Sequence, residues 1–367
     1  MQLLSRIISV IQEKLFPVIQ QEMNPLTDQE KKLINILEVI KIESVVLHSN
    51  SIVGRKRSDR YEIARSFVAK KVYKITETKA LIERLGTDEN LRKICGWNNK
   101  CEIPSESKFS RVFAEFSETD LSERAHGDMV KRYLGKNLIW HNSRDASEID
   151  AREKAVKKEM NNAEKNTKPK RKRGRPKKGE IVPPKELSRL EKQFNEMTYE
   201  EMLADLPKDC NWGTKKSSKG RKVQWCGYKL NVDWADGDIP ISCILTSASV
   251  YDNQVAIPLA IKSAGRVTNM YDLMDAGYDS EIITKHSKSL GHVPIIDDNP
   301  RRGQKQEKDP DRKERYKNRS TAERGFGNLK DNYCARTIMV KGYKKVFTDL
   351  MFGIIALCAN QMIKLVL

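Results

Sequence analysis

The sequence predicts an α/β layer fold with a mixed sheet, a helical region in front of it and a basic insert within it. Three observations carry this prediction. Residues 1–135 hold few Gly or Pro and repeat apolar residues at helical spacing; from about 136 to 367 strand-like and helix-like runs alternate; and a polar, basic stretch at about 152–220 interrupts them.

In the helical region the most informative segment is IPSESKFSRVFAEF, residues 103–116. Phe109, Val112, Phe113 and Phe116 recur at i, i+3, i+4 and i+7, which makes one apolar face, and Pro104 and Ser105 suit a helix start. The opposite face shows Ser107, Ser110 and Arg111. It reads either as the recognition helix of a helix-turn-helix unit, with Arg111 reaching DNA, or as an ordinary bundle helix. The N-terminal MQLLSRIISVIQEKLFPVI is amphipathic without a small-residue cleavage site, a poor signal peptide. The apolar run 350–367 contains Asn360, Gln361 and Lys364, which suits a buried helix better than a membrane span.

From residue 137 the elements follow in order. NLIWHNSRDAS (137–147) reads as a strand ending at Asp145. After the insert, WCGYKLNVDWA and IPISCILTSA read as two strands joined by a hairpin turn at Asp236-Gly237-Asp238. NQVAIPLAIKSAG predicts a helix bent or begun at Pro258, NMYDLMDAGYD a strand running into Asp275, SEIITKHSKSLG a short helix and HVPIID another strand. YKNRSTAERGFGNLK (316–330) then predicts one continuous helix, with Ala322, Phe326, Leu329 and Tyr333 on its buried stripe. Hairpin strands followed by alternating units give a mixed sheet, and the order matches a ribonuclease H-like fold.

Composition narrows the class of partner. The chain of 367 residues carries a formal charge of +18, and the charge is local: residues 151–180 hold +9 and residues 301–330 hold +6. Clustering of this kind points to a polyanion such as double-stranded DNA, and no membrane partner is expected. Seven scattered cysteines with no CxxC pair exclude a disulfide framework and a structural zinc site, so the expected location is cytoplasmic, associated with the nucleoid.

Three acids fall at telling places. Asp145 lies on the first strand, Asp275 at the end of the fourth, and Glu323 on the later helix. In a ribonuclease H-like sheet the first and fourth strands are neighbours and that helix packs across them, so the three carboxylates converge. Such a cluster repels itself unless cations neutralise it. Two Mg²⁺ ions, which prefer oxygen ligands, suit it and would hold the attacking and leaving oxygens of a phosphodiester in line; Mn²⁺ is an alternative. Tyr316, Arg319, Glu323 and Lys330 share a stripe on the helix wheel, which reads either as a functional row or as a surface charge ladder. Glu148 and Asp150 compete with Asp145 for the first position; Asp233 is a rival from the second strand, and Asp272 competes with Asp275. Asp236, Asp238, Asp252, Asp297 and Asp298 read as turn or capping residues.

These motifs closely resemble the DDE transposases of bacterial insertion sequences, in the subgroup with the signature Y-x2-R-x3-E-x6-K, which stands here as Tyr316, Arg319, Glu323 and Lys330. SRDASEIDAREK, GYKLNVDWADGDIPISCILTSAS, YDLMDAGYDS and HVPIID are similar to the same family, as is LIERLGTDENLRKICGW to its helical N-terminal region. The resemblance implies metal ligation by Asp145, Asp275 and Glu323, phosphate contacts by Arg319 and Lys330, and packing of Tyr316 beside the scissile strand. It also implies binding of the element's terminal inverted repeats, cleavage, joining of the 3′-hydroxyl to target DNA, and a homodimer on DNA. The rivals are a non-catalytic remnant that only binds DNA and a nuclease that cuts without joining.

Within the insert, Arg173-Gly174-Arg175-Pro176 flanked by lysines resembles an AT-hook, in which Arg173 and Arg175 enter a narrow minor groove; the alternative is a solvated linker. ELSRLEKQFNEMTYEEMLADL (186–206) predicts one or two helices.

Overall fold

In the computed structural model, residues 25–46, 60–156, 187–216, 220–299 and 309–365 are described. The AT-hook residues Arg173 and Arg175 lie outside them.

Six helices open the described chain: α1 (Asp28–Ile40), α2 (Arg60–Val72), α3 (Thr78–Thr87), α4 (Glu89–Cys95), α5 (Glu106–Glu118) and α6 (Leu121–Leu134). Local chemistry sets their ends. Thr27 and Glu30 form a reciprocal capping box at α1, and Asp88 caps α4 by accepting from the Leu91 amide at 3.0 Å. On α5, Phe109, Val112, Phe113 and Phe116 are buried as the spacing predicts, while Ser107, Ser110 and Arg111 stay exposed.

A six-stranded mixed sheet follows: β1 (Leu138–Asp150), β2 (Asn211–Lys216), β3 (Lys222–Ala235), β4 (Ile239–Ser247), β5 (Thr268–Met274) and β6 (Val293–Ile296). β1 pairs antiparallel with β3 and parallel with β5; β4 runs antiparallel on β3, and β6 parallel on β5. Apart from β2 the strand order is β4-β3-β1-β5-β6, so the first and fourth strands of the basic fold are neighbours.

Helices cover both faces. On one face lie α7 (Arg189–Asn195), α8 (Tyr199–Asp205), α9 (Ala256–Ala264) and α10 (Glu281–Ser289). Pro258 sits in the first turn of α9, where its missing N–H costs no helical hydrogen bond. The predicted helical stretch at 186–206 forms α7 and α8, each begun by its own capping box. On the other face lie α12 (Ser320–Asn332) and α13 (Tyr343–Lys364), preceded by α11 (Pro310–Tyr316). Close approach of α12 to the sheet depends on Gly325: a Cβ there would stand 2.5 Å from the Trp234 ring, which also meets Phe326 edge-on at 5.2 Å.

Three sequence expectations change. β1 continues past Asp145 to Asp150, because its pairing with β3 runs unbroken from Asn142 to Asp150. The insert contributes a strand, β2, which pairs with the first half of β3. The predicted single helix over 316–330 is broken: α11 ends at Tyr316, a 3₁₀ turn spans Lys317–Arg319, and α12 begins at Ser320. The cause is local competition for carbonyls. Asn318 Nδ2 donates to the Arg315 carbonyl and Ser320 Oγ to the Lys317 carbonyl, at 3.2 and 3.0 Å, and side-chain bonds of this kind compete with regular helix pairing.

One continuous core joins the helical region to the sheet. α13 threads its centre, packing against α1, α2, α5, α6 and β4. Phe67 of α2 meets Phe109 and Phe113 of α5 and Phe352 of α13, with ring centroids 5.9, 5.0 and 5.4 Å away. Buried Lys71 donates to Asp349 at 2.7 Å. α13 is the one described helix long and apolar enough to cross a membrane, and 89% of its apolar window is buried inside the protein.

Candidate active site

The strand register brings two of the three predicted acids level. The last β1–β5 pair is Ser143 with Leu273, and Asp145 and Asp275 each stand two residues further along. Asp145 is still within β1, where Oδ1 accepts from the Ala146 amide at 2.8 Å. Asp275 has just left β5 and caps a 3₁₀ turn, Ala276–Tyr278, by accepting from the Gly277 amide at 2.9 Å.

Their charges are strained. Burial pushes the Asp145 carboxyl up to about 6; Asp275 and Asp252 add to the rise, while the Ala146 amide and Arg319 oppose it. Burial also raises Asp275, with Asp252 and Asp297 acting in the same direction. Arg319 is the nearby counter-charge. Its Nη1 lies 3.5 Å from Asp145 Oδ2, its Nη2 donates to Glu323 Oε1 at 2.8 Å, and its backbone carbonyl accepts from Ser143 Oγ at 3.0 Å. The 3₁₀ turn that breaks the helix therefore seats Arg319 on β1, between the strand acid and the helix acid.

Glu323 is 63% exposed and reaches Asp145 through the Arg319 guanidinium. Among the described residues no three His, Cys, Asp or Glu side chains stand close enough together to enclose a metal ion. Asp145 and Asp275 are thus brought together, while Glu323 is held one arginine away. Tyr316 is half-buried beside them; burial pushes its hydroxyl up to about 12, and it lies in the field of Arg319, Asp297, Asp275 and Asp145. Lys330, in the last turn of α12, donates to Glu148 of β1 at 3.1 Å. Arg111 is on α5, exposed, with Nε turned to the Ser107 carbonyl at 3.3 Å.

The rival acids fall elsewhere. Glu148 is held by Lys215 at 2.7 Å and by Lys330, and although burial opposes them these lysines draw it down to about 2. Asp150 is exposed at the strand end. Asp233 is wholly buried on the opposite face: Arg144 donates to it twice at 2.8 Å, Ser263 Oγ at 2.6 Å and Asn142 Nδ2 at 3.2 Å. Asp272 is equally buried, accepting from Ser287, Asn269 and Asn142 and meeting His292 Nδ1 at 3.1 Å. Asp233 and Asp272, with all their charge answered by protein partners, form a structural network beneath the sheet rather than an open site.

Asp252 is the turn residue that the sequence predicts, but its effect on the two acids was not foreseen. It opens the 3₁₀ turn Asp252–Val255, pairs with Lys229 at 2.9 Å, and adds negative field at both Asp145 and Asp275. Its place in a turn after β4 gave no sign in the sequence that this turn meets the turn after β5.

Two known family models match the chain. The sequence model of the family described as "Transposase DDE domain" matches residues 203–359, and that described as "Transposase domain (DUF772)" matches residues 19–115. Both are transposase domains, and residues 203–359 belong to the DDE family. The DDE match takes in Asp275 and Glu323 and starts after Asp145, the insert standing between. Its ribonuclease H-like fold follows from that membership as well as from the strand order. No curated protein and no solved structure matched the chain. The transposase is of a class that cleaves and transfers DNA with divalent metal ions.

Proposed function

We propose that this transposase binds the terminal inverted repeats of its element, cleaves there, and joins the freed 3′-hydroxyls to target DNA, acting as a homodimer on DNA. The observation that carries the reading is the level pair Asp145 and Asp275, both raised by burial and by neighbouring carboxylates, with Arg319 bridging Asp145 to Glu323. Two adjacent carboxylates that resist ionisation, with an exposed third one arginine away, are a donor set suited to hard divalent cations such as Mg²⁺ once that arginine turns aside. Asp145, Asp275 and Glu323 would hold two such ions, which supply charge neutralisation and an activated water oxygen.

The protein's own groups have defined tasks in this scheme. Arg319 neutralises the acids in the apo state and turns to the scissile phosphate as DNA and cations arrive. Lys330, released from Glu148, meets the backbone further along, and Tyr316 packs beside the strand to be cut. Arg111 on the exposed face of α5 contributes to repeat binding.

A strand-transfer assay on paired element ends tests the reading. Cation-dependent joining is expected in the wild type and is lost in Glu323→Gln with DNA binding retained. Intact cleavage in that variant would remove Glu323 from the site. Cleavage without joining in the wild type would favour a simple nuclease, and DNA binding with neither reaction a non-catalytic remnant.

A further inference from the structure

β3 is fourteen residues long, and the sheet uses only part of it. β1 pairs with β3 from Ala235 back to Gly227, and β4 from Ala235 back to Tyr228. Past Cys226, whose carbonyl still accepts from the Ala151 amide at 3.0 Å, residues 222–225 of β3 pair with β2 alone, so β2 and the start of β3 leave the sheet as a two-stranded antiparallel ribbon. An isolated two-stranded ribbon buries little and is marginal in water. This one is kept straight at its base: Trp225 lies on Gly213, where a Cβ would stand 2.3 Å from the ring, and its Nε1 donates to the Tyr228 carbonyl at 3.1 Å.

Beyond that base the ribbon makes no core. Trp212 is 58% exposed and Val223 42%, and Thr214, Lys215, Arg221, Lys222 and Gln224 are exposed too. The pleat puts Trp212, Thr214, Lys222 and Gln224 on one face and Lys215 and Val223 on the other. Its position is fixed relative to the acids, because Lys215 and Lys330 share Glu148, three residues along β1 from Asp145.

We infer that this ribbon is a DNA-inserting arm, which lies in a groove of the duplex flanking the phosphodiester to be cut. The inference rests on the transposase reading above and adds a contact element to it. A two-stranded ribbon has the width that the major groove of duplex DNA admits, and exposed cations at its tip match the flanking phosphates. A single-stranded partner would call for several stacking aromatics, and the described residues of the ribbon expose Trp212 alone.

Binding of a duplex oligonucleotide spanning the element end, measured against salt, tests this. Arg221→Ala/Lys222→Ala is expected to lower the slope of log affinity against log salt by roughly 1.8, the release of two phosphate contacts. Trp212→Ala weakens duplex binding and removes footprint protection in one block beside the cleavage position. Both variants keep the wild-type melting curve and the wild-type cleavage rate once saturated with DNA. Unchanged slope, affinity and footprint in both variants overturn the arm. So does a Trp212→Ala defect confined to a single-stranded probe. A wild type that binds no duplex overturns the arm together with the transposase reading, whereas wild-type joining with unaffected ribbon variants overturns the arm alone.

Discussion

Arg319 stands between two acids from different elements, 3.5 Å from Asp145 on β1 and 2.8 Å from Glu323 on α12. The arginine offsets part of the site's negative charge without metal. It also defines what must change when cations and DNA arrive. Removing its charge leaves only the Ala146 amide to oppose the effect of burial, Asp275 and Asp252 on Asp145. In Arg319→Gln the Asp145 carboxyl is therefore expected to titrate above its wild-type value of about 6, as followed by carboxyl NMR in chelator. An unchanged titration would mean that the guanidinium is not its counter-charge.

The raised Asp145 makes a prediction about stability. Its folded pKa of about 6 exceeds the usual carboxylate value, so the folded state holds the proton more tightly than the unfolded chain. That contribution is fully present below roughly pH 4 and is lost as pH rises through about 6. In chelator, Asp145→Asn should be more stable than wild type at pH 8, by about 1–3 kcal/mol, with the difference vanishing near pH 4. Urea denaturation at the two pH values measures it. Added divalent cation should reverse the order at pH 8, since it stabilises the wild type and has less to bind in the variant.

Asp233 and Asp275 should separate cleanly. Asp233 answers Arg144, which is buried with it, so Asp233→Ala strands a charge and costs about 3–5 kcal/mol whether or not cation is present. Asp275→Asn leaves folding nearly intact and abolishes cation-dependent stabilisation. Equal losses from both substitutions would show that Asp275 is a structural residue.

Gly325→Ala tests the seat of α12. Its Cβ would stand 2.5 Å from the Trp234 ring, and overpacking of this kind costs about 1–3 kcal/mol. Displacing α12 also moves Glu323, so the thermal midpoint and the cleavage rate should fall together. A stable variant with full activity would show that the helix is not held by this contact.

The Lys71–Asp349 pair joins α2 to α13 with both groups buried. Breaking it on one side, in Lys71→Met, should cost about 3–5 kcal/mol, and Lys71→Met/Asp349→Leu should recover much of that loss. Denaturant midpoints of the three proteins measure the difference.

Much of this architecture was legible because period and order are local properties. The buried stripe Ala322, Phe326, Leu329, the hairpin at Gly237 and the helix at Glu281 follow from spacing and turn chemistry. Asp145 and Asp275 could be placed side by side once the strand order was assigned. What escaped depends on contacts between distant residues. The wheel that aligned Tyr316, Arg319, Glu323 and Lys330 assumed an unbroken helix; the bonds of Asn318 and Ser320 divide it, and Glu148 holds Lys330 away from Glu323. β2 was hidden in a stretch read as polar insert, because a ribbon exposed on both faces lacks apolar alternation.

The central place of α13 has a consequence for how the protein comes into being. The helix that completes the shared core leaves the ribosome after every candidate acid, so a nascent chain that has already displayed all three acids still lacks the wedge between its helices and its sheet. Copies of the gene cut short before Tyr343 would encode every candidate catalytic residue and yet yield a chain whose apolar faces have nothing to close on. Loss of α13 is therefore as disabling to this protein as loss of an acid.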